Sequence, residues 1–202
     1  MTKRKSEEIR RKEILGAALR CFSSRGYHET TLDDISRCSG LTKGAIYWYF
    51  KGKREIFLDL IELVLRDDKT LWSESLEEYQ MGMEFMVNAG LLYLELHLES
   101  RWIRPLYAEL VAESYRDCKM RKKISELYDE RRGLIKEALD RAIHEEEHRD
   151  FDNESISSIM ISTIDGLMIQ YWLSDKKLDY QRVWTQFVNA LFKGIQVNEG
   201  IE

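Results

Sequence analysis

The stretch from Thr30 to Lys53, TTLDDISRCSGLTKGAIYWYFKGK, leaves little choice of fold. Thr31 can cap a short helix, Asp33 and Asp34 sit in its first turn where the macrodipole favours negative charge, and Leu32, Ile35 and Cys38 recur on one side. Ser39 and Gly40 break that pattern, Gly40 being able to take the positive φ of a sharp turn, and Leu41 offers an apolar plug. Thr42 then caps a second short helix with Ile46, Tyr49 and Phe50 as its inward stripe. Two helices joined by a tight turn follow from these spacings.

The second helix carries more than a core needs. Lys43, Gly44, Tyr47 and Trp48 fall on its other side, although an interior Gly weakens a helix by about 1 kcal/mol relative to Ala and exposed aromatics invite aggregation. Duplex DNA would account for them. A helix in the major groove wants a glycine where its backbone nears phosphate, hydroxyls such as those of Thr42, Tyr47 and Tyr49 for phosphate oxygens, and flanking cations, which Lys43, Lys51 and Lys53 supply. Thr42 and Ala45 are placed to touch base edges. The candidate DNA-binding set is therefore Thr31, Thr42, Lys43, Gly44, Ala45, Tyr47, Trp48, Tyr49 and Lys53.

The block from Gly26 to Phe57, GYHETTLDDISRCSGLTKGAIYWYFKGKREIF, resembles the DNA-binding domain of the TetR family of bacterial transcriptional regulators. The resemblance rests on Gly26-Tyr27, the paired threonines, the Gly-Leu-Thr-Lys-Gly turn, Ile46-Tyr47 followed by Tyr49-Phe50, and Lys53. Cys38, Ser39 and Leu41 stand where the family commonly has Ala, Ala and Val, replacements that leave the packing argument intact. What the resemblance implies is an all-helical subunit, three N-terminal helices reading operator DNA, a larger C-terminal domain binding a small-molecule effector, and a homodimer.

Composition agrees with an all-α chain. There is one proline in 202 residues, glycine is sparse, and no alternating apolar pattern marks a strand. The overall charge of -5 hides an asymmetry: residues 1 to 55 carry +6 and the remainder -11. A basic head on an acidic body lets one end meet phosphate while the rest repels it. Cys21, Cys38 and Cys118 are odd in number and lack zinc-site spacing, which points to reduced thiols in a cytoplasm. The basic N-terminus lacks the apolar core of an export signal, and no apolar run reaches the roughly 18 residues of a membrane span, so a cytoplasmic protein without cofactor or membrane contact is expected.

A division at residue 52/53 is expected, with a helix-turn-helix head over 1–52 and a helical effector-binding and dimerisation domain over 53–202. Residues 1 to 6 read as a mobile basic arm, followed by a helix whose stripe includes Ile9, Ile14, Ala17, Ala18, Cys21 and Phe22. A long fourth helix starts near Lys53, and any tilt of it would move the head. Met83 to Ser100 is apolar on nearly all sides and reads as a central buried helix. Pro105 marks the first turn or a kink of the next one, with Leu106, Tyr107, Leu110, Val111 and Tyr115 inward.

Trp72, Met86, Tyr93, Trp102 and Tyr107 are large or adaptable side chains suited to an apolar pocket, with His97 and Asp165 as polar groups near it. Taken singly, each large side chain is better explained by ordinary core packing and Tyr93 and His97 by a hydrogen bond to a neighbouring helix, while a salt bridge explains Asp165 as well as an effector does. His144 and His148 lie four apart in an acidic run, which reads as a solvated face rather than a metal site. The phrase IDGLMIQYWL followed by LDY resembles the C-terminal region of TetR-type regulators, where two helices meet their copies across a twofold axis. On that resemblance Ile156, Ile164, Leu167, Met168, Trp184, Phe187 and Leu191 are the expected dimer contacts. The favoured function is a repressor released from a pseudo-palindromic operator by a small, largely apolar effector. The rival is a helical protein-interaction or DNA-organising protein without small-molecule control. An enzyme is disfavoured because no nucleophile-base pair, phosphate loop or metal cluster is visible in the sequence.

Overall fold

A computed structural model describes residues 2–63, 83–100, 102–144, 152–175 and 177–196. Within these the secondary structure is helical, with no strand among the described residues: α1 (Thr2–Arg25), α2 (Leu32–Ser39), α3 (Lys43–Tyr49), α4 (residues 53–63), α5 (Met83–Leu98), α6 (Ile103–Arg116), α7 (Cys118–His144), α8 (Asn153–Leu173) and α9 (Tyr180–Gln196). The chain forms two compact units, Met1–Asp67 with Ser100–Leu127, and Asp68–Glu99 with Tyr128–Glu202. The compact units therefore do not divide at residue 52. Ile56, Phe57, Leu60 and Ile61 of α4, Leu106 and Leu110 of α6, and Met120 and Leu127 of α7 share one core with Ile14, Phe22, Ile35, Ile46 and Phe50. A three-helix head this small buries too little apolar surface alone, and α4, α6 and the start of α7 complete it.

Capping sets the lengths of the short helices. Thr31 and Asp34 form a reciprocal box: the Asp34 N–H donates to Thr31 Oγ1 at 3.2 Å, and the Thr31 N–H donates to Asp34 Oδ2 at 2.9 Å. Gly40 ends α2 in the left-handed region, φ 71°, and Thr42 opens α3 by accepting the Ala45 N–H at 3.2 Å. At the centre of this unit Phe22, Tyr27 and Phe57 pack with ring centroids 4.7 to 5.6 Å apart.

Several expectations are corrected here. The helix begins at Thr2, so residues 2–6 are helical rather than a separate arm, and Ile9 is exposed because it precedes the stripe that packs on α2. Pro105 lies in the first turn of α6, where its missing N–H costs no intrahelical bond, but Val111 and Tyr115 face outward. In the second unit α5 packs against α8 and α9, yet Met83, Leu92 and Leu96 are exposed, so α5 is not covered on all sides within the subunit. Trp72, His148 and the polar stretch 73–82 lie outside the described residues.

The second unit is organised by Trp184. Its indole is fully buried, its Nε1–H donates to the Val87 carbonyl at 3.0 Å, and its ring occupies the space beside Gly90, where an added Cβ would meet it at 2.2 Å. Ile156, Ile164, Leu167 and Met168 are likewise buried within the subunit, while Phe187 and Leu191 are half-buried. The expected dimer contacts Ile156, Ile164, Leu167, Met168 and Trp184 thus form the subunit's own core. α8 is apolar on two sides, and its broad side faces the subunit's own core. Its outer side presents Ile159, Ile169 and Leu173, the last 80% exposed, with Ser162 also exposed and Gly166 half-buried between them.

Candidate nucleic-acid interface

The face of α3 expected to be open is open. Ile46 is fully buried and fixes the helix on the core, whereas Trp48 is 82% and Tyr47 53% exposed, beside exposed Thr42, Lys43 and Gly44. Ala45 and Tyr49 are half-buried, and Tyr49 packs against the core, so its ring belongs to both sides of the helix. The Lys43 ammonium is held by Asp33 at 2.8 Å, a hydrogen bond that raises its pKa. Both partners are exposed, so a phosphate can compete for this cation at little cost.

Two of the expected DNA contacts have structural work of their own. Thr31 is exposed, but its hydroxyl donates to Asp34 Oδ2 at 2.6 Å while accepting the Asp34 N–H. Lys53 is half-buried, and its ammonium donates to the carbonyls of Tyr27 at 2.6 Å and His28 at 3.0 Å and lies 4.5 Å from the Tyr27 ring centroid. Burial pushes its pKa down. An ammonium has three donors, so one remains for a phosphate after the loop before α2 is tied to α4.

Sequence reasoning missed the groups that hold α3 in place. Arg11 of α1 donates to the Tyr49 carbonyl at 2.6 Å, pairs with Asp59, and places its guanidinium 4.3 Å from the Phe50 ring centroid. Buried Glu113 of α6 accepts from His28 Nε2 at 2.6 Å and from Arg116 at 3.1 Å, and Arg54 pairs with Asp117 at 3.1 Å. His28 and Glu113 are 85 residues apart in the chain, and no local periodicity marks them. The only local hint was a carboxylate on the inward side of α6.

The residues expected to line an effector pocket divide between the units. Trp102 and Tyr107 belong to the first, where the Trp102 carbonyl accepts the Ser23 hydroxyl at 3.3 Å. Met86, Tyr93, His97 and Asp165 belong to the second. There Met86, Tyr93 and His97 are buried, the Tyr93 and His97 rings stack at 4.1 Å, and His97 Nδ1 lies 2.7 Å from the Tyr93 carbonyl oxygen. The Arg131 guanidinium lies 4.7 Å from the Tyr93 ring centroid, and the Tyr128 hydroxyl donates to Asp165 at 2.7 Å. This is a polar layer inside an apolar bundle. No helix among the described residues is long and apolar enough to cross a membrane.

Comparison with known proteins agrees with this geometry. The family described as bacterial regulatory proteins, tetR family, matches residues 14–60, and the one described as BetI-type transcriptional repressor, C-terminal, matches residues 91–194. The HTH-type transcriptional regulator AcrR of Shigella flexneri is 27% identical over 201 residues, covering 95% of this chain and 91% of that protein. QacR of Staphylococcus aureus, also an HTH-type transcriptional regulator, is 29% identical over 118 residues, covering 57% of this chain and 61% of its own. Among solved structures, SmeT, the repressor of the Stenotrophomonas maltophilia multidrug efflux pump SmeDEF, shares the fold with a TM-score of 0.73 at 22% identity, over 90% of this chain and 89% of its own. A complex of SmeT with triclosan gives 0.77 at 20% identity over 91% of each chain. With a helix-turn-helix head, an open reading helix and matches spanning both ends of the chain, this protein belongs to the TetR family of bacterial transcriptional regulators.

Proposed function

We propose that the protein is a cytoplasmic, homodimeric repressor that binds a pseudo-palindromic operator and is released from it by a small, largely apolar effector. The observation that carries this reading is the uncovered aromatic face of α3, Tyr47 and Trp48 on a helix whose other side is locked into the core. No fold needs those rings in water; a duplex groove accepts them. Thr42, Ala45, Tyr47 and Trp48 meet the groove, Lys43 and Gly44 meet phosphate, and Thr31, Tyr49 and Lys53 hold the helix while lending hydroxyl or ammonium donors. The DNA-binding domain on this reading is residues 1–52, resting on α4 and α6, and residues 53–202 carry control and assembly.

The dimer is proposed through the outer side of α8. Ile159, Ser162, Gly166, Ile169 and Leu173 recur at alternating spacings of three and four, the narrow seam of two helices packing closely, and small residues at its middle let the backbones approach. Val183 of α9 is exposed as well, and Phe187 and Leu191 lend their half-buried edges. For the effector, Met86, Tyr93, His97 and Asp165 in the second unit are the proposed contacts. Triclosan on SmeT is an example of the small apolar class expected. Coupling of about 1 to 3 kcal/mol between effector and operator would change affinity roughly 5- to 150-fold.

Selection of genomic fragments by the purified protein tests this reading. A palindromic fragment, bound by wild type and lost with Tyr47→Ala while the dimer persists, is the expected result. Equal retention of every fragment would contradict it.

A further inference from the structure

The charge of -11 beyond residue 55 conceals a basic run. From Arg116 to Lys123, RDCKMRKK, five cations stand against one acid, a net +4. The run joins α6 to α7 and belongs to the same compact unit as the reading head. Packing fixes it there. Met120 and Leu127 of α7 are buried in the core shared with Phe22 and Ile46, and Lys123 reaches back to Glu62 of α4 at 3.2 Å. Asp117 accepts the Lys119 and Met120 N–H groups at 2.8 and 3.2 Å, opening α7, and takes the Arg54 guanidinium at 3.1 Å. Arg54 follows Lys53, whose ammonium ties α4 to the loop before α2, and Arg116 lies 3.3 Å from His28 Nε2 in that same loop. The run is thereby moored within a few residues of Thr31 and Lys53, two of the expected DNA contacts.

The rest of the run faces water. Lys119 and Arg121 are exposed, and their side chains make no ion pair among the described residues. The Lys122 side chain is 82% exposed with Glu126 only at 4.0 Å, and Tyr115, just before the run, is 81% exposed. Like charges held this close repel one another, and an anionic partner relieves that repulsion. A membrane surface would need an apolar side of α7 to sink into, but Met120, Ile124 and Leu127 are packed against the unit's own core. A polyanion recognised by charge alone has no such need.

We propose that Tyr115, Arg116, Lys119, Arg121 and Lys122 form a second DNA-contacting surface, one that grips the phosphate backbone beside the half-site read by α3. That role rests on the operator-binding reading above, which brings the duplex to this unit. The cations replace counterions condensed on the backbone, and the Tyr115 hydroxyl donates to a phosphate oxygen. Such contacts carry no base information, so the surface adds affinity without adding specificity. It also accounts for a basic run standing in an otherwise acidic body: the run is far along the chain from the head but folds against it.

The test measures affinity of the full-length protein, over a range of salt concentrations, for a selected genomic duplex and for a scrambled duplex of equal length and composition. Lys119→Ala/Arg121→Ala should keep the wild-type helical signal and thermal midpoint but bind both duplexes about tenfold more weakly, or worse, at about 50 mM salt. Its slope of log affinity against log salt should be shallower by about one unit for each cation that leaves a phosphate. The ratio of affinities for the two duplexes should stay at its wild-type value. Taking the same charge from the second unit, in Lys136→Ala/Lys177→Ala, should change neither affinity nor slope. Wild-type affinity and slope in Lys119→Ala/Arg121→Ala, a loss confined to the selected duplex, or an equal loss in the second-unit variant would overturn the proposal. So would unchanged DNA binding with lost retention on phosphatidylglycerol vesicles, which would assign the run to a membrane. A wild type that binds neither duplex sinks the operator reading and this surface together, whereas a binding wild type matched by its variant sinks this surface alone.

Discussion

At the scale of single residues, the head depends on a few polar groups that each do one definable thing. Thr31→Ala removes the cap of α2 and should cost about 1 kcal/mol, read as a lower urea midpoint. Asp34, its partner in the box, has its pKa lowered to about 2, first by the Thr31 hydroxyl, then by the Thr31 N–H, with Arg25 and Arg37 adding attraction. The folded-state pKa is below the unfolded one, so this contribution is fully present above about pH 4 and is lost as pH falls toward 2. Asp34→Asn should therefore be less stable than wild type at neutral pH, and the gap should close on acidification through that window. Lys53 and Tyr47 differ in what they hold, Lys53 being bonded to backbone carbonyls and Tyr47 being exposed. Tyr47→Ala should weaken DNA binding with no loss of stability, because the ring touches little of the core. Lys53→Ala should lose both, since its ammonium ties the Tyr27 and His28 carbonyls to α4. Equal thermal midpoints for the two variants would contradict that distinction.

At the scale of elements, what was legible from the sequence was whatever is local. Caps at Thr31 and Thr42, the left-handed turn at Gly40 and the outward Tyr47 and Trp48 depend on residues within a turn or two of each other, and the structure has them as read. Orientation of a helix that is apolar on two sides was not legible. Periodicity says that α8 has apolar faces but not which one meets its own subunit, so buried Ile164 and Met168 and exposed Ile169 and Leu173 look alike in the sequence. Likewise Arg11, His28 and Glu113 find their partners only after distant helices pack. The fit of Trp184 against Gly90 offers a sharp test of that packing. Gly90→Ala inserts a methyl into the indole and should destabilise the protein by about 1–3 kcal/mol, with Trp184→Leu in the same chain recovering part of the loss.

For the whole molecule, control of DNA by a repressor requires two heads held at a fixed spacing, and the outer side of α8 is the surface offered for that. Leu173→Glu or Ile169→Glu should shift the protein from dimer to monomer in sedimentation while circular dichroism keeps its helical signal, because these side chains are exposed in the subunit. The charge split, +6 over residues 1 to 55 against -11 over the rest, further requires that binding be electrostatic at one end only. The most direct measurement of the central claim is affinity for a selected genomic duplex as a function of salt, for wild type and for Tyr47→Ala with Trp48→Ala. With about six or more phosphates neutralised, wild-type affinity should fall about 10³-fold or more between about 50 and about 200 mM salt. The double variant should bind far more weakly throughout while remaining a folded dimer. A double variant that binds the duplex as tightly as wild type would show that the open face of α3 is not what meets DNA.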